Sequence, residues 1–218
     1  RGLFDVATIF VGTLLVTGIA MLIAAPIGIL SAIYLSEYAS PRVRGTVKPI
    51  LEILAGIPSV VLGFFALTFI NPTIVQTLVP TAKGFNLAAA AIAVGILTIP
   101  LVATISEDAM KAVPQSLREA SYGLGARRVT TATRVVLPAA VSGIVAAIIL
   151  GISRAVGETM VVAIAAGASG GSLFTVNPFE PGQTMTAAMA ALATGSDQVA
   201  GDNAAFQSLF FVGLLLFV

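Results

Sequence analysis

Apolar residues gather in five blocks along this chain: residues 4–35, 50–70, 87–105, 139–167, and a last block from residue 204 that is still running at Val218. About 20 consecutive apolar residues suffice for a helix to cross a membrane, so the pattern predicts five spans. Pro26 and Gly28 permit a kink or tilt in the first, Pro58 falls inside the second, and Pro100 stands near the end of the third. Polar stretches 36–49, 71–86, 106–138 and 168–203 separate them. In the last of these, residues 183–192 (QTMTAAMAAL) place small and apolar residues at helical spacing. Two readings stand there: a short helix, at the outer surface or re-entrant, and an ordinary loop.

Composition sharpens the class. The chain is 57% hydrophobic and 10% charged, against about 25% charged in ordinary globular domains. That gap points to an integral membrane protein rather than a soluble one with buried core helices. A net charge of +1 says nothing about nucleic acid, but the distribution of charge is informative. Stretch 36–49 carries Arg42, Arg44 and Lys48, and stretch 106–138 carries Lys111, Arg118, Arg127, Arg128 and Arg134. The basic residues of the alternate stretches reduce to Lys83, with Arg1 ahead of the first span. The positive-inside rule therefore places 36–49 and 106–138 in the cytoplasm. The first span then runs inward and the fourth outward. Without Cys or His, thiol nucleophiles, disulfides and the usual Cys/His zinc sites are excluded. A chain that opens on Arg1 and stops inside an apolar block is expected to be a piece of a longer membrane protein, with a further span upstream if its N-terminus is cytoplasmic.

Within block 139–167 the only charges are Arg154 and Glu158. A continuous helix would carry Arg154 roughly 20 Å from Ala139, too deep to snorkel from the helix start. A charge at such depth costs roughly 2.5–3.5 kcal/mol and marks a pathway or substrate site by default. The competing reading is a self-neutralising Arg–Glu pair. Pairs at this spacing contribute only about 0.2–0.5 kcal/mol, and the acidic residue first is the better order. A wet cavity, partners on other helices, or an anion is needed as well. Ser153 and Thr159 flank the pair with hydroxyls, and Gly151, Ala155 and Gly157 keep the neighbourhood small. Elsewhere, Pro58 and Ser59 fall in a segment that could line a pathway. Glu52 reads as an interfacial cap or salt-bridge partner, Lys83 as a solvated charge, and Glu107 and Asp108 as the entry to the loop that follows.

That loop, 106–138, predicts a helix–turn–helix. Pro114 suits the first turn of a helix. Residues 115–122 follow with Leu117, Ala120 and Leu124 on one face; Gly123 and Gly125 break the pattern; residues 126–136 form a second short helix; and Leu137–Pro138 end it. A solvated basic loop is the bland alternative, but the turn glycines and the apolar face argue for a docking element.

The stretch EASYGLGARRVTTATRVVLP (119–138) resembles the EAA loop of ABC importer permeases. That pattern is EAA, three residues, Gly, nine residues and Ile-x-Leu-Pro. Glu119, Ala120, Gly125, Leu137 and Pro138 match it, while Ser121 replaces the second Ala and Val135 the Ile. The resemblance implies an all-α, polytopic transmembrane bundle of the type I ABC importer permease kind. Residues 1–218 would form one permease domain, with 106–138 as its cytoplasmic coupling loop. Glu119, Ala120, Ser121, Gly125, Leu137 and Pro138 would carry the coupling to a cytoplasmic ATPase. No GxxxxGK[ST] loop is present, so the ATPase would be another polypeptide.

Segments SRAVGETMVVAIAAG (153–167), AIYLSEYAS (32–40) and EILAGIPSVVLGFFAL (52–67) are similar to phosphate-specific permeases. The Met after Gly-Glu-Thr, QTMTAAMA (183–190) and SLFFVGLLLFV (208–218) favour the PstC-like subunit over its PstA-like partner. This resemblance implies a non-catalytic subunit in a bacterial inner membrane, with no cofactor of its own; ATP and Mg would be used by the partner ATPase. The implied partners are a PstA-like permease, two PstB-like ATPases, a PstS-like periplasmic phosphate-binding protein, phosphate and membrane lipid, and no nucleic acid. Arg154, Glu158, Ser153 and Thr159 would line the substrate pathway. An arginine fork matches phosphate oxygens. Glu158 would either restrain Arg154 in an empty path or accept the proton of hydrogen phosphate. Importers of molybdate or sulfate, and an ATP-independent transporter or channel, are the competing classes.

Overall fold

The computed structural model describes residues 6–167, 174–194 and 203–217, and all regular structure among them is helical. Helix α1 (Val6–Tyr38) ends in a wide π turn. Helix α2 (Pro41–Ala55) follows at once, because Ser40 accepts the Val43 N–H at its N-cap and Pro41 occupies the first position. Helix α3 (Ser59–Leu78) widens to π geometry around Pro72, and α4 spans Leu87–Lys111. Three short-to-medium helices come next: α5 (Gln115–Gly123), α6 (Arg128–Ala139) and α7 (Val141–Val156), the last two meeting at a 70° bend. Helices α8 (Met160–Ala165), α9 (Met185–Ala193) and α10 (Asn203–Phe217) complete the described chain.

Of these, α1, α3 and α4 are each long and apolar enough to cross a membrane, α6–α7 make a fourth if read as one bent span, and α10 contains the shorter apolar helix Gln207–Phe217. Three boundaries differ from the sequence expectation. The second span starts at Ser59, not at residue 50, and residues 41–55 form an amphipathic helix of their own. Pro58 has no N–H and restricts Ile57 before it, so it precedes the span instead of lying inside it. The third span continues past residue 105 to Lys111. Block 139–167 is not one helix: it breaks at residues 157–159. Residues 183–192, open between loop and helix, are largely the helix α9, capped by Thr184.

Two compact units divide the chain. The first holds Arg1–Ala20, Pro58–Gly95 and Arg154–Val218. In it α8 packs on α3 and on α9, and α9 packs on α10. Small residues allow the close approach: a Cβ on Gly63 would lie 3.0 Å from Ile164, and Gly12 abuts the Gln183 carbonyl. The second unit holds Met21–Ile57 and Ile96–Ser153. Its core gathers Ala32, Met110, Val113, Val136, Ala140 and Ile144, with Leu137 packed against them.

Candidate functional site: a broken helix and a basic hairpin

The break in block 139–167 falls between the two charges that the sequence singles out. Arg154 lies in the last turn of α7, where a cation complements the helix dipole. It is exposed, and it has no ion pair or hydrogen bond among the described residues. Glu158 is buried beyond the helix end. Its Oε1 accepts the Val161 N–H at 3.4 Å, capping α8, and its backbone oxygen accepts the Thr186 hydroxyl at 2.9 Å. The expected i,i+4 pair therefore does not form. Gly157 is a poor helix former, and with the helix ended there, a carboxylate one residue on is better placed to cap the following helix. Helix α9 pins the break, and the Met185 N–H bonds the Thr13 hydroxyl at 3.0 Å. The hydroxyls flanking the pair serve local backbone: Ser153 donates to the Ile149 carbonyl at 3.0 Å and Thr159 to the Gly157 carbonyl at 3.3 Å.

The hairpin of α5 and α6 forms much as expected. Gly125 adopts φ +81°. Its N–H bonds the Tyr122 carbonyl at 2.9 Å, and the Ala126 N–H bonds the Ser121 carbonyl at 3.1 Å. This is a Schellman turn, which favours glycine at its left-handed position. Glu119, Ala120 and Leu117 are exposed, and Leu124 is 90% exposed. Ser121 instead faces inward, its hydroxyl 2.9 Å from that of Thr131. Leu137 packs on the core of the unit, and Pro138 is exposed just ahead of the bend into α7.

A charged cluster lies elsewhere in the second unit. Glu107, with a side chain 1% exposed, forms ion pairs with Arg44 at 3.7 Å, Lys48 at 3.7 Å and Lys111 one turn on. Lys48 also bonds Asp108 at 3.2 Å. Burial works against the Lys48 ammonium, but that hydrogen bond and the charges of Glu107, Asp108 and Glu52 outweigh it and hold the group above its ordinary range. Glu52 itself is exposed. In the first unit, fully buried Asn86 donates to Asn71 at 2.7 Å and to the Lys83 carbonyl at 2.8 Å, and accepts the Ala89 N–H at 2.8 Å. Local pattern offers two signals, the i,i+4 spacing of Glu107 and Lys111 and Asn86 as a capping residue just before an apolar run; the partnerships of Arg44 and Lys48 have none.

Apolar helices of spanning length and a basic helical hairpin define a multi-pass α-helical membrane protein. The chain belongs to the family described as the binding-protein-dependent transport system inner membrane component, whose pattern matches residues 24–218. It is thus a multi-pass protein of the inner membrane. It is 38% identical over 183 residues to the probable ABC transporter permease protein YqgH of Bacillus subtilis, covering 84% of this chain and 58% of that protein. It is 33% identical over 230 residues to the phosphate transport system permease protein PstC 1 of Mycobacterium tuberculosis, covering 96% of this chain and 67% of that protein. Its fold is that of a solved chain of the MetNI methionine ABC transporter, with a TM-score of 0.65 at 20% identity over 94% of this chain and 85% of that one.

Proposed function

We propose that this chain is a permease subunit of an ATP-driven phosphate importer. It would enclose the path together with a PstA-like permease, receive phosphate from a PstS-like binding protein, and take its drive from two PstB-like ATPases that use ATP and Mg. The observation that carries the reading is the hairpin of α5 and α6: a glycine-dependent turn presenting Leu117, Glu119, Ala120 and Leu124 to solvent. Exposing apolar side chains around a single carboxylate favours a protein partner over water. The phosphate transport names of relatives support the substrate, as does Arg154, a guanidinium with no ion pair among the described residues in a block whose other charge is Glu158. Buried Thr17 Oγ1 and Gln183 Nε2, in the same unit as Arg154, lack partners among the described residues, which suits a wetted interior.

Arg154 would meet the anion in the path. Ser153 and Thr159 would line it, and Glu158 would hold the break open by capping α8. The test is labelled phosphate uptake by the full transporter in vesicles, with sulfate and molybdate as competitors. ATP-dependent uptake that resists both competitors is expected, as is a fall to background in Arg154→Gln at wild-type expression. Wild-type uptake by that variant would remove the arginine from the path. Uptake suppressed by sulfate or molybdate would assign the importer to another oxyanion.

A further inference from the structure

Arg118 is one of five basic residues in the 106–138 stretch, and by sequence it is only another topology charge. The structure turns it inward. Its side chain is 11% exposed and that of Glu37 is 4% exposed. Nη1 donates to the Val113 carbonyl at 2.6 Å, while Nη2 donates to the Met110 carbonyl at 2.8 Å and to Glu37 Oε1 at 3.1 Å. The Ser36 hydroxyl adds a 2.9 Å bond to the same carboxylate oxygen. One guanidinium thus ties α5 to the last turn of α4 and to the π turn that closes α1.

The chain connections of α5 are both bends: residues 112–114 before it and the left-handed Gly125 after it. Bends absorb motion. A helix pushed by a partner moves the spans only if something stiffer links them. Arg118 provides that link from the residue next to Glu119, on a helix whose Leu117, Ala120 and Leu124 stay free to be gripped. The planar fork suits the task, because two nitrogens held in one rigid plane reach two carbonyls and a carboxylate, whereas a Lys ammonium must serve all three from a single nitrogen on a flexible stem.

We propose that Arg118 and Glu37 form a strut that carries the movement of α5 into the cytoplasmic ends of α1 and α4. Arg118 is a positioning residue and takes no part in the substrate path. The proposal rests on the reading that α5 docks on an ATPase. Buried ion pairs also serve simply to hold a fold together, so the test must read coupling as well as assembly.

Full-length permease is assembled with its partners and reconstituted in vesicles, and phosphate uptake and ATP hydrolysis are measured together. In Arg118→Gln and Glu37→Gln the ATPase still copurifies, but phosphate moved per ATP falls on the order of tenfold. The double variant is no worse than either single one. Wild-type coupling in Arg118→Gln, or additive losses in the double variant, would overturn the strut. If Arg118→Gln fails to assemble, Arg118→Lys decides: it keeps the charge without the fork, and a reduced transport ratio in an assembled complex is expected. A wild-type ratio in Arg118→Lys overturns the proposal. Failure of the wild-type complex to transport phosphate would instead count against the functional reading.

Discussion

Gly125 and Arg118 stand seven residues apart and do opposite things to the same helix. Gly125 lets the chain turn sharply at φ +81° with open space around its α-carbon; Arg118 stops α5 from turning freely. Because nothing lies within 4 Å of a Cβ placed on Gly125, the cost of a side chain there is conformational, not steric. Gly125→Ala is expected to cost about 1–2 kcal/mol, read as a lower melting temperature of the purified transporter, with Gly125→Asn milder. Equal melting temperatures for all three proteins would show that the left-handed turn is dispensable. Glu158 teaches a related lesson: a carboxylate four residues from an arginine pairs with it only if the helix continues between them. Here the helix ends, and the carboxylate takes the N–H of Val161 instead.

Helix ends decide the element scale. Helix α4 starts where Asn86 accepts the Ala89 N–H, and the same side chain donates to Asn71 in the π-helical stretch of α3 and to the Lys83 carbonyl. One residue therefore caps a span and closes the loop before it. Asn86→Ala removes the cap and leaves Asn71 Oδ1 short of a donor, an expected loss of about 2 kcal/mol. Thermal unfolding in detergent measures it; a loss no larger than that of a surface substitution would argue that the cap is redundant. Helix α2 is set by its ends in the same way. Ser40 and Pro41 start it and the 56–58 stretch stops it, so its apolar residues Ile50, Ile53 and Leu54 belong to an exposed amphipathic helix instead of a span.

At the scale of the whole molecule, eight of the 11 basic residues lie in the two stretches 36–49 and 106–138. The positive-inside rule puts α2, α5 and the Gly125 turn in the cytoplasm and Lys83 on the opposite face. These 218 residues contain no Cys, so with any cysteine elsewhere in the full-length permease replaced, a single cysteine placed here reports topology cleanly. Leu124→Cys in the full-length permease is expected to react with a membrane-impermeant maleimide only from the cytoplasmic side, and Lys83→Cys only from outside. The exchanged result would invert the orientation and labelling of both from one side would refute it, and either would remove the docking role of α5.

The rough placement of the apolar segments, the hairpin at 119–138 and the glycine turn at 125 were legible in the sequence, because each depends on composition or geometry within a few residues; the count of five spans was not, since among the described residues three helices are of spanning length and a fourth forms only if the bent pair α6–α7 is one span. Hydropathy could not show where block 139–167 breaks, since Gly157 is compatible with a helix and only the packing of α9 against the break settles it. Nor could it assign Ser121, which spacing places with the outward-facing Ala120 and the fold turns toward Thr131. The link from Arg118 to Glu37 crosses 81 residues and that from Lys48 to Asp108 crosses 60. A charge on a polar stretch reads as solvated until its partner is brought to it. Local pattern determined which residues enter the membrane; tertiary structure decided which charges are anchored and left Arg154 without an ion pair among the described residues.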